Sequence, residues 1–186
     1  MINPVPPTIK NLINGPSFTP KENKGKSIKS ITEFTKTGFQ GNIEKKNNQD
    51  IAIIYPNFMK NKENYFLSVC DGHGYYGHDV SRFIKATLPI NLENNFFENQ
   101  IDVFDMNKEK VHKLIEDAFI YSNNTLNSCG IDTKFSGSTC VSMFMNKNKI
   151  ITANIGDSRI VLGKLKNGSK LAFIIFYYSM VEQEIR

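Results

Sequence analysis

The sequence predicts an α+β domain in which antiparallel sheets carry helices. Three observations lead there. Short apolar strands come first, two long segments with helical spacing follow, and strands joined by hairpin turns close the chain. At 186 residues the chain is long enough for one domain with a proper core. Its apolar residues fall in short runs bounded by glycine, proline and asparagine rather than in any long uninterrupted stretch.

The elements follow in order. Residues 1 to 30 carry Pro4, Pro6, Pro7, Pro16 and Pro20 among lysines and asparagines, a composition that buries too little apolar surface to offset ordering entropy. They are expected to form a disordered basic leader. A first strand is expected from Thr35 to Gln40, then a polar loop from Gly41 to Asp50. Ile51 to Tyr55 reads as a short buried strand ended by Pro56, and Asn57 to Asn64 as a polar turn. Asn64 to Cys70 reads as a largely buried strand that stops at Asp71. Val80, Phe83, Ile84, Thr87 and Leu88 then fall at helical spacing, with Asp79 available as the N-cap and Pro89 closing or kinking the segment. Residues 91 to 108 suggest a broken helix. Val111, Leu114, Ile115, Ala118, Phe119 and Leu126 form one stripe of a clearer helix that ends at Cys129-Gly130. Gly137-Ser138-Thr139 opens a strand to Met145, and Asn146 to Asn148 supply a hairpin turn. Strands from Lys149 to Asn154 and from Ile160 follow, with a second hairpin turn at Lys166 to Ser169. Asp157 is expected to order the turn between them.

Charge and cysteine content narrow the function classes. Of the net charge of +5, four units sit in residues 1 to 30, so the folded part is near neutral and offers no nucleic-acid face. Three cysteines with no CxxC pair point to free thiols in a reducing, intracellular setting, cytoplasmic or nuclear. No secretory signal follows Met1, Ile2 excludes myristoylation, and the run Leu171 to Met180 is too short to span a bilayer, so no transmembrane segment is expected.

The chemistry gathers at Val69-Cys70-Asp71-Gly72-His73-Gly74. A carboxylate at a strand tip, beside a glycine that lets backbone approach, suits a hard divalent cation such as magnesium or manganese. A neighbouring histidine moves protons near neutral pH. The same hexapeptide also reads as a surface Asp-Gly turn. His73 and His78 form no zinc set, lacking a cysteine or third histidine nearby, and Gly137-Ser138-Thr139 lacks the ending of a phosphate loop and reads as a strand entry.

Four blocks in order resemble the amino-terminal part of the metal-dependent protein serine/threonine phosphatases of the PP2C (PPM) family. They are the Lys45-to-Asp50 loop ending Asn-Gln-Asp, the strand ending Val69 to Gly74, Gly137-Ser138-Thr139-Cys140, and Ala153 to Arg159. The resemblance covers residues 35 to 170. It implies an α-β-β-α sandwich of two antiparallel sheets flanked by helices, here incomplete at its C-terminus. It further implies two Mn2+ or Mg2+ ions whose bridging water, acidified to hydroxide, attacks the phosphorus of phosphoserine or phosphothreonine in a phosphoprotein substrate. By the same resemblance Asp71 bridges both ions, the Gly72 carbonyl binds one, and Asp50 holds metal-bound water. Lys45 or Lys46 takes the place of the basic phosphate-binding residue, as a point charge rather than a bidentate fork. His73 protonates the leaving oxygen. Gln49 stands where many members have glutamate.

The sequence also departs from the family. Later blocks that supply further aspartate ligands are missing, Asp157 is the last aspartate, and the residues after Phe173 match nothing in the family. The expected layout is a leader over 1–30, a partial phosphatase domain over 31–172 and a non-matching tail over 173–186, as in a truncated gene model or a read-through intron. The product is expected to be a monomer with weak or no turnover. The alternative is a catalytically inactive module that binds phosphoproteins or a phosphatase.

Overall fold

The computed structural model describes residues 28, 30–44, 47–166, 169–176 and 181–184. The expected leader therefore lies almost wholly outside the described residues, and Lys45 and Lys46 lie outside them. The described elements are β1 (Phe39–Gln40), β2 (Ile43–Glu44), β3 (Asp50–Pro56), β4 (Tyr65–His73), α1 (Gly77–Glu98) and α2 (Lys108–Ser128), followed by β5 (Gly137–Ser138), β6 (Cys140–Met145), β7 (Lys149–Ile155), β8 (Ile160–Lys166), β9 (Ser169–Phe176) and β10 (Val181–Glu184). The expected α+β class holds.

The principal sheet runs β10-β7-β6-β4-β3, with β5 paired to the far end of β4, and every pairing in it is antiparallel. β1 with β2 and β8 with β9 form separate two-stranded sheets. The first strand is shorter than expected: only Phe39 and Gln40 pair with β2, across the turn at Gly41 (φ 62). Residues 173 to 176 continue β9, and β10 pairs with β7, so backbone of the expected tail joins both sheets.

One face of the principal sheet carries the core. Ile53, Phe66, Cys70, Cys140, Phe144, Ile151 and Ala153 pack there with Leu88, Leu92 and Phe96 of α1 and Val111, Leu114, Ile115 and Ala118 of α2. Burying a side chain of this size contributes about 1.5–3 kcal/mol. Four phenylalanines meet at its centre: Phe58 lies 5.5 Å from Phe144, 5.9 Å from Phe66 and 6.4 Å from Phe96, ring centre to ring centre. Phe58 is fully buried, although the stretch 57–64 reads as polar. It sits in a short 3-10 turn, Phe58–Lys60, held by a left-handed backbone at Asn57, Met59 and Lys60.

Helix boundaries differ from expectation in three places. α1 starts at Gly77 with Tyr76 at the N-cap and no side-chain cap bond, so Asp79 lies inside the first turn. Pro89 neither ends nor breaks it. Its side chain is buried on the helix, and that burial outweighs the hydrogen bond proline cannot make. Residues 91–98 are the last turns of the same helix rather than a broken one. α2 begins three residues before Val111, where Asn107 Oδ1 accepts from Lys110 N at 3.1 Å. It ends at Cys129, and Gly130 (φ 88) lets the chain leave.

The expectation that the strand through Asn64 to Cys70 is largely buried holds on one face only. Val69 is 49% exposed, because alternate residues of β4 point away from the helices. On that second face Ala52, Ile54, Leu67, Val69, Val141 and Met143 line a groove of about 210 Å3.

Candidate functional site

β4 does not stop at Asp71 as expected. It runs on through Gly72 to His73, where β5 continues the register that β6 holds along it, on the side opposite β3. The continued pairing places the polar residues on a regular strand instead of a loose turn. Residues two apart on a strand share a face, so Asp71 and His73 project from the same side of β4. Asp50, the first residue of β3, is the direct register partner of Asp71. Opposed residues of an antiparallel pair hold their Cβ atoms about 5 Å apart. Asp50, Asp71 and His73 are thus brought together on one exposed edge of the sheet.

The edge is fixed by backbone. Asp71 N donates to Thr139 Oγ1 at 3.0 Å, and Thr139 N donates to the Asp71 carbonyl at 2.9 Å. Thr139 Oγ1 also lies 2.7 Å from Ser158 Oγ, which ties the GST and GDSR blocks to the aspartate. Gly72 N donates to the Gln49 carbonyl at 3.2 Å, and Gln49 Nε2 donates to the Gly74 carbonyl at 2.9 Å. The loop before Asp50 and the turn after His73 are therefore bound to each other.

Glycines are required here by space. A Cβ on Gly72 would overlap the Gly77 carbonyl group of α1 and come within 2.8 Å of the Gln49 carbonyl oxygen. Gly137, the register partner of His73, lies under the imidazole: a Cβ there would come within 2.8 Å of His73 Nε2. The ring rests on bare backbone.

The donor set is all oxygen on the metal-ligand side, two opposed carboxylates and the nearby Gly72 carbonyl, which fits a hard divalent cation. Among the described residues no group of three or more His, Cys, Asp or Glu converges to hold a metal ion, so these residues could supply at most part of a coordination shell.

Reading the residues alone missed Gln49, Thr139, Ser136 and Gly77 as positioning groups. A polar Thr at a strand entry carries a weak signal, and nothing local marks its bond to a backbone amide 68 residues away. Asp157 was expected to order its turn. Instead Asn154 Nδ2 spans it, donating to the carbonyls of Ser158 at 3.0 Å and Gly156 at 3.4 Å.

Behind the edge, Cys70 and Cys140 are buried beside Ser68, whose Oγ lies 3.3 Å from Cys140 Sγ. The Cys70 thiol is pushed up from its ordinary range by its hydrogen bond with Cys140 and by burial.

The protein phosphatase 2C profile matches residues 35–173. Probable protein phosphatase 2C 65 of Arabidopsis thaliana is 31% identical over 144 residues, covering 66% of this chain and 36% of the relative. Probable protein phosphatase 2C 1 of the same plant is 32% identical over 173 residues, covering 80% of this chain and 36% of the relative. The chain thus spans little more than a third of the length of these relatives. Among solved structures, a variant of a bacterial serine phosphatase superposes with a TM-score of 0.51 at 21% identity, covering 81% of this chain and 72% of that one, a likeness of fold. No helix among the described residues is long and apolar enough to cross a membrane.

Proposed function

Because the chain belongs to the protein phosphatase 2C family, we propose that it serves the hydrolysis of phosphoserine and phosphothreonine in proteins, with Mn2+ or Mg2+ as cofactor. The observation that supports this most is the opposition of Asp50 and Asp71 with His73 on the same strand face. When bound, the ions would supply the positive charge that makes water nucleophilic at neutral pH and neutralises phosphoryl oxygens.

The chain's own residues do the rest. Asp71 and the Gly72 carbonyl would hold the ion, and Asp50 would hold its water from the facing strand. His73, resting on Gly137, gives a proton to the leaving serine or threonine oxygen as the bond to phosphorus breaks. Lys45 or Lys46 supplies charge to the phosphate. Thr139 and Gln49 keep the two strands in register at the edge. The three free cysteines are consistent with an intracellular, reducing setting.

Two carboxylates and a carbonyl hold magnesium-class ions weakly, because such ions give up water reluctantly. Residues 1–186 alone are therefore expected to turn over slowly or not at all, and the domain's full activity to need additional acidic ligands. The same shortage of ligands favours a second reading, a module that binds phosphoproteins or a phosphatase without turnover.

The test is hydrolysis of a phosphothreonine peptide with and without Mn2+, by this chain, by its Asp71→Asn variant and by a complete family member. Trace Mn2+-dependent turnover abolished in Asp71→Asn supports the phosphatase reading. Phosphopeptide binding with no turnover supports the module. Turnover by this chain that is indifferent to Mn2+ or to Asp71→Asn contradicts both the metal assignment and the role of Asp71.

A further inference from the structure

A cleft of about 590 Å3 opens on the helix side of the same sheet edge. Its walls are sequence neighbours of the candidate site: Gln49 precedes Asp50, and Gly74, Tyr75 and Tyr76 follow His73. The walls are held in place. Gln49 Nε2 bonds the Gly74 carbonyl at 2.9 Å, and Tyr76 N donates to Ser136 Oγ at 3.0 Å. The rings of Tyr75 and Tyr76 meet edge to face with centres 4.8 Å apart, and Tyr75 is 80% exposed.

Asn47, His78 and Asp79 complete the lining. His78 Nδ1 is sealed from solvent without a hydrogen-bond partner among the described residues, while Nε2 lies 3.4 Å from Asp79 Oδ2. A neutral imidazole with no acceptor at Nδ1 keeps its proton on Nε2, where it faces the carboxylate. Asp79 Oδ1 is 3.8 Å from the half-exposed Arg82, too far for a hydrogen bond. Among the described lining residues, Asp79 carries the only full charge.

We propose that this cleft is a subsite for an arginine side chain of the substrate peptide, at a position flanking the phosphorylated residue. The position of the phosphate rests on the phosphatase reading; the cleft's preference for a cation does not. A planar guanidinium pairs with one carboxylate oxygen while stacking on an exposed tyrosine, and it sheds water more readily than ammonium, so lysine ranks second. A glutamate side chain would meet Asp79 as a like charge. An extended peptide advances about 3.3 Å per residue, which lets a flanking side chain turn the sheet edge into the cleft while the phosphate stays beside His73.

The experiment is fluorescence anisotropy on the 186-residue chain with Mn2+, using dye-labelled phosphothreonine peptides that carry Arg, Lys, Ala or Glu at each flanking position, and the same set without phosphate. At one position Arg is expected to bind about 3- to 10-fold tighter than Ala, with Glu weaker than Ala. Asp79→Asn abolishes the difference between Arg and Glu. Tyr75→Ala, at an exposed side chain outside the core, reduces the Arg preference. Equal affinities at every position, an Arg preference that survives Asp79→Asn, or no binding by folded chain overturns the proposal. An Asp79-dependent Arg preference without any phosphate or Mn2+ dependence upholds the subsite while the phosphatase reading fails. Phosphate-dependent binding without an Arg preference does the reverse.

Discussion

Asp50 and Asp71 face one another across the β3–β4 ladder, the last register pair of that ladder at this edge of the sheet. Like charges placed directly opposite in an antiparallel pair are destabilising, and a divalent cation between them reverses the sign. The arrangement trades stability for a site. Asp71→Asn removes one charge and leaves the backbone bonds to Thr139 in place. It is expected to stabilise the metal-free chain by about 0.2–1 kcal/mol, a rise in Tm readable by differential scanning fluorimetry in chelator. A fall in Tm would show that the Asp71 carboxylate is a structural group.

Gly72 and Gly130 give a matched pair of tests. At Gly72 any side chain meets the backbone of Gly77 and Gln49, which cannot move without shifting α1 against the sheet. Gly72→Ala is expected to cost about 1–3 kcal/mol or more. At Gly130 there is open space, and only the left-handed φ of 88 opposes a side chain. Gly130→Ala is expected to cost about 1–2 kcal/mol. Urea unfolding of both variants measures the difference, and a smaller loss at Gly72 would contradict the close packing of helix and strand.

Glu93 latches the left-handed turn to α1. Its Oε1 accepts from Met59 N at 2.5 Å and its Oε2 from the Tyr55 hydroxyl at 3.0 Å. Tyr55 is pushed up to about 12 from 10.0, by burial first and then by its hydrogen bond to Glu93 and the charge there. A phenol raised in the folded state contributes its full stability below the unfolded value and loses it as pH climbs through the folded one. The stability difference between the native chain and Tyr55→Phe should therefore shrink across pH 10 to 12. Glu93→Gln should bring the late tyrosinate absorbance transition back toward 10.0. Glu93→Ala is expected to cost about 1.5–3 kcal/mol.

The cysteines differ in access. Cys70 and Cys140 are 0% and 4% exposed, whereas Cys129 at the end of α2 is partly exposed. Burial puts both thiols out of reach of reagents. One thiol is expected to react with an aromatic disulfide reagent in the native chain and all three in denaturant; a fast second thiol would show that the sheet opens behind Asp71.

Much of the fold was legible in the sequence because its signals are local. Ile51 to Tyr55, the stripe from Val111 to Leu126 and the Asn146 turn specify their elements within a few residues, and the structure places β3, α2 and the β6–β7 hairpin there. What failed was decided by tertiary contact. Pro89 stays helical because its side chain is buried, and Phe58 enters the core from a polar stretch because Glu93 holds its turn. At the site, the identities of Asp50, Asp71 and His73 were readable, but their shared face depends on β4 staying paired beyond Asp71. The residues that extend the pairing are Ser138 and Gly137, more than 60 residues away along the chain.

The central claim is that the Asp50–Asp71 edge holds a divalent cation. Calorimetric titration of Mn2+ into the folded chain, and into its Asp71→Asn variant, tests it most directly. The account predicts a weak, saturable heat for the native chain that vanishes in Asp71→Asn. No saturable heat with folded native chain, or an unchanged heat in the variant, would contradict it.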